Sequence, residues 1–285
     1  MTRRLLIAVA IVAVLSAATV ASAATLGVMP APLTALQLPG VTGPVMTAVE
    51  MQDQNGDGKV DAVIVTFDAP VASTNSSDWV LDAVPSGGTL ASVGASGSMV
   101  VLTLTAGTGA PDTAVGGFTV ALNDTTGSLN SFDPLAPDDK AGPVPVGFAT
   151  TNPGATPGLL EGGDALSITF SESLLQSSVP TTTTITLTDV ASNDTLAIPG
   201  VTSGAVTTGG DYIRTQSAAA AGSQVLTSGT TIEVTAAGCS SGAGPCRQLV
   251  VGQGALAYAP DPAITDAAEN AAAGSFTTPS TFRLF

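Results

Sequence analysis

Nine residues, Asp53-Gln54-Asn55-Gly56-Asp57-Gly58-Lys59-Val60-Asp61, place oxygen-bearing side chains at the alternate positions 53, 55 and 57. Ligands so spaced can converge on one hard cation. Gly58 permits the sharp turn, the Lys59 carbonyl faces inward, and Asp61 stands where a further direct or water-bridged ligand belongs. A twelve-residue calcium loop would carry a bidentate Glu at its last position, and here that position is Ile64. A complete site needs a carboxylate from elsewhere in the chain; otherwise the expectation is a structural Ca2+ site of weak, extracellular affinity. Asn55-Gly56 and Asp57-Gly58 are also strong hairpin-turn signals, so a solvated turn is the competing reading.

Other chemistry is scarce. The chain has no histidine, which excludes a Ser-His-Asp triad, a Cys-His pair and a histidine-ligated zinc site. Paired carboxylates remain: Asp138-Asp139, Glu161 with Asp164, and Glu172. Each lies beside Gly or Pro, or on an alternating position expected to face solvent, so all are read as surface charges and no catalytic residue is assigned. Trp79, Tyr212 and Tyr258 are the only Trp and Tyr residues, and Trp79 is expected in a core rather than on a sugar-binding platform. Cys239 and Cys246 enclose six residues, and in an exported chain they are expected to close a local disulfide at a hairpin tip.

The elements that position these residues occur twice. Gly43-Pro44-Val45 leads through a polar loop into Asp61-Ala62-Val63-Ile64-Val65-Thr66-Phe67. Gly142-Pro143-Val144 leads into Asp164-Ala165-Leu166-Ser167-Ile168-Thr169-Phe170. The offsets are 142 − 43 = 99 and 164 − 61 = 103, a period close to one β-sandwich domain. The second copy's loop, 151–158, keeps no acid series. Thr- and Val-rich alternating runs punctuated by Gly, Ser, Asn and Asp recur along the chain, with Val63, Val65 and Phe67 on one face. Strands are expected over 43–51, 61–67, 79–81, 89–93, 99–105 and 118–122 in the first copy. In the second they are expected over 144–149, 164–170, 182–188, 195–198, 211–215, 231–236, 248–251 and 275–278. Helical periodicity is missing, and Ala218–Ala221 reads as at most one helical turn.

These residues resemble the bacterial immunoglobulin-like repeats of secreted and cell-surface proteins. The resemblance rests on the Gly-Pro-Val start, the Asp-x-hydrophobic-x-hydrophobic-Thr-Phe strand and a closing turn, Asp266-Ala267-Ala268-Glu269-Asn270. Glu269 stands where that turn usually has glycine, and a left-handed backbone there would strain it. The resemblance implies an immunoglobulin-like fold and no single function, because such modules serve as spacers, adhesins and enzyme appendages.

Arg3-Arg4, the apolar run Leu5–Leu15 and Ala21-Ser22-Ala23 form a secretory signal pattern with cleavage expected before Ala24. Removing the two arginines lowers the basic count from 7 to 5 against 22 acidic residues, a net of −17. Such a surface repels nucleic acid and anionic lipid and attracts divalent cations. The expected organisation is a signal peptide (1–23), an extended leader (24–41) and two tandem immunoglobulin-like β-sandwiches (42–141 and 142–285). The expected role is a secreted or cell-surface, non-enzymatic spacer or adhesion scaffold without membrane insertion. Its partner would be an extracellular protein or glycan. The alternative is a carbohydrate-binding accessory protein of a polysaccharide-degrading system.

Overall fold

The computed structural model describes residues 43–153, 160–213, 217–238 and 253–284. Cys239 and Cys246, the leader, the signal pattern and the expected strand 248–251 lie outside the described residues. The chain is all-β, and no described helix is long and apolar enough to cross a membrane.

β1 (Met46–Gln52) and β2 (Ala62–Phe67) pair antiparallel around the acidic loop. β3 (Trp79–Asp82), β4 (Thr89–Ser96), β5 (Met99–Thr105), β6 (Thr119–Leu122), β7 (Phe132–Leu135) and β8 (Asp138–Asp139) follow. They form a five-stranded sheet, β4-β5-β2-β1-β8, and a three-stranded sheet, β3-β6-β7. Both sheets feed one core. Val49, Val63, Val65, Phe67, Val100 and Leu102 come from the first sheet, and Trp79, Val120 and Leu122 from the second. Trp79 meets Phe132 edge to face at 6.1 Å, and its indole N–H donates to Thr74 Oγ1 at 3.0 Å. That satisfies the one polar atom that a buried indole brings with it.

The second half begins with β9 (Pro145–Thr151) and β10 (Ala165–Phe170). It continues through β11 (Thr182–Thr188), β12 (Thr195–Ala197), β13 (Ala205–Thr207), β14 (Ser217–Ser228) and β15 (Thr231–Thr235). All seven join one sheet in the order β13-β12-β11-β14-β15-β10-β9, and a ribbon of β16 (Ala257–Tyr258) and β17 (Phe276–Thr277) accompanies it. This differs from the expected second sandwich, and β14 is the reason. Its first part pairs with β11 and its last five residues, Gln224–Ser228, pair with β15. Gly222, at φ +74°, sits where the register shifts, so one strand turns a corner that two sheets would otherwise divide between them. The sheet therefore curls around its core instead of splitting. Ala218 and Ala220 face that core fully buried, so the alanine run is strand rather than a helical turn. Tyr258 anchors the cluster, with Phe148 at 5.8 Å and Phe170 at 6.5 Å.

The sequence repeat is also a repeat of backbone geometry. Met46 faces Phe67, a bulge follows, and Ala48 faces Thr66; Pro145 faces Phe170, the same bulge follows, and Gly147 faces Thr169. β2 and β10 bury their residues in the same order. Asp68 N–H donates to the Val45 carbonyl (2.9 Å) while Val45 N–H donates to Asp68 Oδ1 (2.7 Å). Ser171 and Val144 make the matching pair at 2.8 and 3.0 Å. Asp68→Ala removes one of these bonds and is expected to cost about 1 kcal/mol, read as a lower denaturant midpoint with an unchanged slope. The repeated Gly has an equally local cause. A Cβ on Gly43 would lie 2.7 Å from the Ser128 carbonyl oxygen, and one on Gly142 would lie 2.1 Å from that of Ala271. Each glycine lets the opening of its half approach a backbone carbonyl late in that half.

In the second closing turn Glu269 has φ +66°, the conformation that the sequence foresaw as costly. Glu269→Gly is expected to stabilise the protein by roughly 1 kcal/mol, a rise in Tm of about 2–4 °C by calorimetry.

Candidate metal centre

Three carboxyl groups meet where the two halves join. Asp139 is the last residue of β8, held by parallel pairing with Met51 of β1. Glu172 follows β10 by two residues, and Asp266 opens the second closing turn. One oxygen from each lies within 4.8 Å of the others, and no other such acidic group occurs among the described residues. Glu172 and Asp266 are only 5% and 2% exposed, and Asp139 is half-buried. Glu172 was expected among solvated surface acids. Its burial corrects that: the chain leaves the sheet after Phe170, so the alternation that predicted exposure no longer applies.

Hydrogen bonds hold each member. Val144 N–H donates to Ser171 Oγ (3.0 Å), and the Ser171 hydroxyl shares a hydrogen bond with Thr113 Oγ1 (2.7 Å). Thr113 in turn donates to Glu172 Oε1 (2.7 Å). Thr113 is fully buried and belongs to the first half, so this relay crosses the junction. Asn270 crosses it in the other direction. Its amide nitrogen donates to the carbonyls of Asp139 (3.2 Å) and Ala141 (3.4 Å) and to Asp266 Oδ2 (2.8 Å). Its backbone N–H donates to Asp266 Oδ1 at 2.8 Å.

Burial, followed by the charges of Asp139, Asp266 and Asp112, pushes Glu172 up to about 8, against the pull of the Thr113 hydroxyl. Burial and the Asp266 charge raise Asp139 to about 6. Like charges this close cannot all ionise unless a positive charge joins them, and a proton or a metal cation serves equally. The triad can hold a metal ion. Its donors are all carboxylate oxygen, the hard set that suits calcium, magnesium or manganese rather than zinc or copper. Calcium's oxygen bonds of about 2.3–2.6 Å place opposed ligands up to about 5 Å apart, which accommodates the observed spread.

The acidic loop lies beside this junction. A Cβ on Gly58 would come within 3.4 Å of Ser171, and one on Gly274 within 2.6 Å of the Gly56 carbonyl oxygen. Asp53, Asn55, Asp57 and Asp61 turn their side-chain oxygens onto the loop's own amides. Asp53 accepts from Gly56 and Gly58 at 2.8 Å each, Asn55 from Asp57 (2.8 Å), Asp57 from Lys59 (2.9 Å), and Asp61 from Gln54 (3.0 Å) and Asn55 (3.2 Å). Lys59 reaches away to the Gly107 carbonyl at 2.7 Å. Burial and the Asp57 charge raise Asp53 despite three backbone donors.

Among the described residues, another buried carboxylate is taken up by its own backbone. Asp194 is fully buried and accepts from the amides of Val190, Tyr212 and Ile213, folding one loop around itself. Trp79 and Tyr212 are 5% and 3% exposed, and the Tyr212 hydroxyl donates to the Phe282 carbonyl, so neither offers a sugar platform. Asp164 is buried at the start of β10, where its carboxylate accepts from Glu161 N–H at 2.6 Å.

The triad was missed in the sequence because its members stand at 139, 172 and 266 and meet only through the fold. One signal was present: Glu172 follows the repeated strand at the position where the first copy has Ala69. No protein-family model, curated protein or solved structure matches this chain.

Proposed function

We propose that this is an exported, non-catalytic scaffold of two tandem all-β halves, a spacer or adhesion element whose halves are locked where they join and stiffened there by calcium. The supporting observation is the bonded junction. Thr113 of the first half donates to Glu172 of the second, and Asn270 of the second donates to Asp139 and Ala141 beside the first. A protein whose work is presentation gains from such a joint, because a fixed angle between modules holds loops and edges in one orientation. The acidic composition and the secretory pattern of the sequence support a role outside the cell, where calcium is millimolar and weak sites fill.

Two measurements test this. Fractionation of the producing cell is expected to find the chain in the medium or envelope, and cytosolic retention would overturn the reading. Thermal melting in millimolar calcium against chelator is expected to show a rise of roughly 3–6 °C, the shift produced when ligand exceeds Kd about tenfold. An unchanged midpoint removes calcium from the proposal.

A further inference from the structure

The acidic loop contains the one Asn-Gly pair in the chain, Asn55-Gly56; every other asparagine is followed by Ser, Asp, Pro or Ala. In such a pair a backbone nitrogen can reach the preceding side-chain amide, because glycine puts no side chain beside that nitrogen.

The fold aligns the groups this reaction needs. Asn55 Oδ1 accepts from the Asp57 N–H at 2.8 Å, which folds the Asn55 side chain back over the intervening peptide and turns its Cγ toward the Gly56 nitrogen. The same N–H faces the oxygen on which negative charge gathers when Cγ is attacked. The Gly56 N–H, whose proton must leave, donates to Asp53 Oδ1 at 2.8 Å. A base, an oxyanion donor and an unshielded nucleophile therefore meet at one carbon. Gly56 has φ +71°, where a side chain would be strained, and Asn55 is exposed, so a leaving group departs into water. The other loop and turn asparagines are held differently. Asn130 and Asn270 commit their amide nitrogens to carbonyls, Gly43 for the first and Asp139 and Ala141 for the second.

We propose that Asn55 undergoes self-catalysed deamidation in the folded protein, with Asp53 as the base. The Gly56 nitrogen forms a bond to Asn55 Cγ, and the Cγ–Nδ2 bond breaks. Asp53 takes the Gly56 proton and passes it to the departing nitrogen, which leaves as ammonia. One water then opens the resulting succinimide at either carbonyl, leaving aspartate or isoaspartate at position 55. Nothing is oxidised or reduced. The loop gains a fourth carboxylate beside Asp53, Asp57 and Asp61, so its hold on cations changes with the age of the molecule. The junction centre plays no part in this step.

The experiment incubates the full chain in chelator at neutral pH and follows the mass of the whole protein and of the peptide holding Asn55. The same chain in denaturant and an Asp53→Asn variant stand beside it. The expected result is a gain of about 1 Da confined to that peptide, with isoaspartate among the products and added negative charge on anion exchange. The folded chain should gain it at least about tenfold faster than the unfolded chain, which has the pair without the base or the oxyanion donor. Asp53→Asn should slow the folded chain toward the unfolded rate, because its amide keeps the shape and takes no proton. No gain in the folded chain, a gain confined to other asparagines, or a gain no faster than in denaturant overturns the proposal. So does an Asp53→Asn variant as fast as the wild type. If Asp53→Asn melts early, the folded and unfolded wild type decide between them, since that comparison needs no variant.

Discussion

Gly142→Ala is expected to lower stability by about 3–5 kcal/mol, a fall in Tm of about 10 °C. The added carbon would lie 2.1 Å from the Ala271 carbonyl oxygen and 3.0 Å from its carbon, both backbone atoms that cannot swing aside. Relief must come from moving the closing turn away from the strand opening. That turn also carries Asp266 and Asn270, which donate to or face Asp139 across the junction. The variant should therefore lose part of its calcium response as well as its stability. Gly43→Ala is the internal comparison: its carbon would lie 2.7 Å from Ser128 oxygen, and no acidic triad sits behind it. It should cost less and leave the calcium response intact. Calorimetry of both variants with and without calcium checks the pair, and equal losses would separate the Gly142 contact from the metal centre.

Glu172→Gln should act in opposite directions with and without calcium. In chelator at pH 8 or above it removes a buried negative charge beside two others while keeping an oxygen for Thr113. Burial of an uncompensated carboxylate costs on the order of 1–3 kcal/mol, so the variant should melt several degrees above the wild type. With calcium present the order reverses, because one of three carboxylate ligands is gone. Asp57→Asn in the acidic loop distinguishes the two calcium candidates: the wild-type response survives it if the junction binds, and falls if the loop binds.

The pH dependence follows from the same groups. Glu172 and Asp139 are raised when folded, to about 8 and about 6, above their ordinary values of 4.5 and 3.8. Between those limits the native state binds more protons than the unfolded chain, so their contribution is complete below about pH 4 and is lost as pH rises through 8. Calcium displaces the protons, so its stabilising effect should grow over the same window. Melting curves from pH 5 to 9, with and without calcium, should diverge with rising pH.

Local chemistry was legible and tertiary chemistry was not. Asp61–Phe67 and Asp164–Phe170 declared themselves because alternation and β-branching act within a strand. Glu269's strain was visible because a turn's handedness is written in its residues. β7 and β8 were hidden, since Phe132-Asp133-Pro134-Leu135 and Asp138-Asp139 have linker composition and become strands only by pairing with β6 and β1. Ser217–Ala221 was hidden because alanine has poor strand preference, overridden here by the ladder to β11. The triad required three elements from both halves to meet, and no window along the chain contains them.

The shared bulge in β1 and β9 has a consequence for how the chain acquires its structure. Two hairpins with the same offset and the same inward residues can exchange partners, β1 with β10 or β9 with β2, and each hybrid would satisfy its ladder. Proximity opposes this, since closing Gln52 onto Ala62 spans ten positions while closing it onto Ala165 spans more than a hundred. The first hairpin also leaves the ribosome before the second has been made. Refolding from denaturant removes that head start, so interleaved hybrids should build up there and not during synthesis.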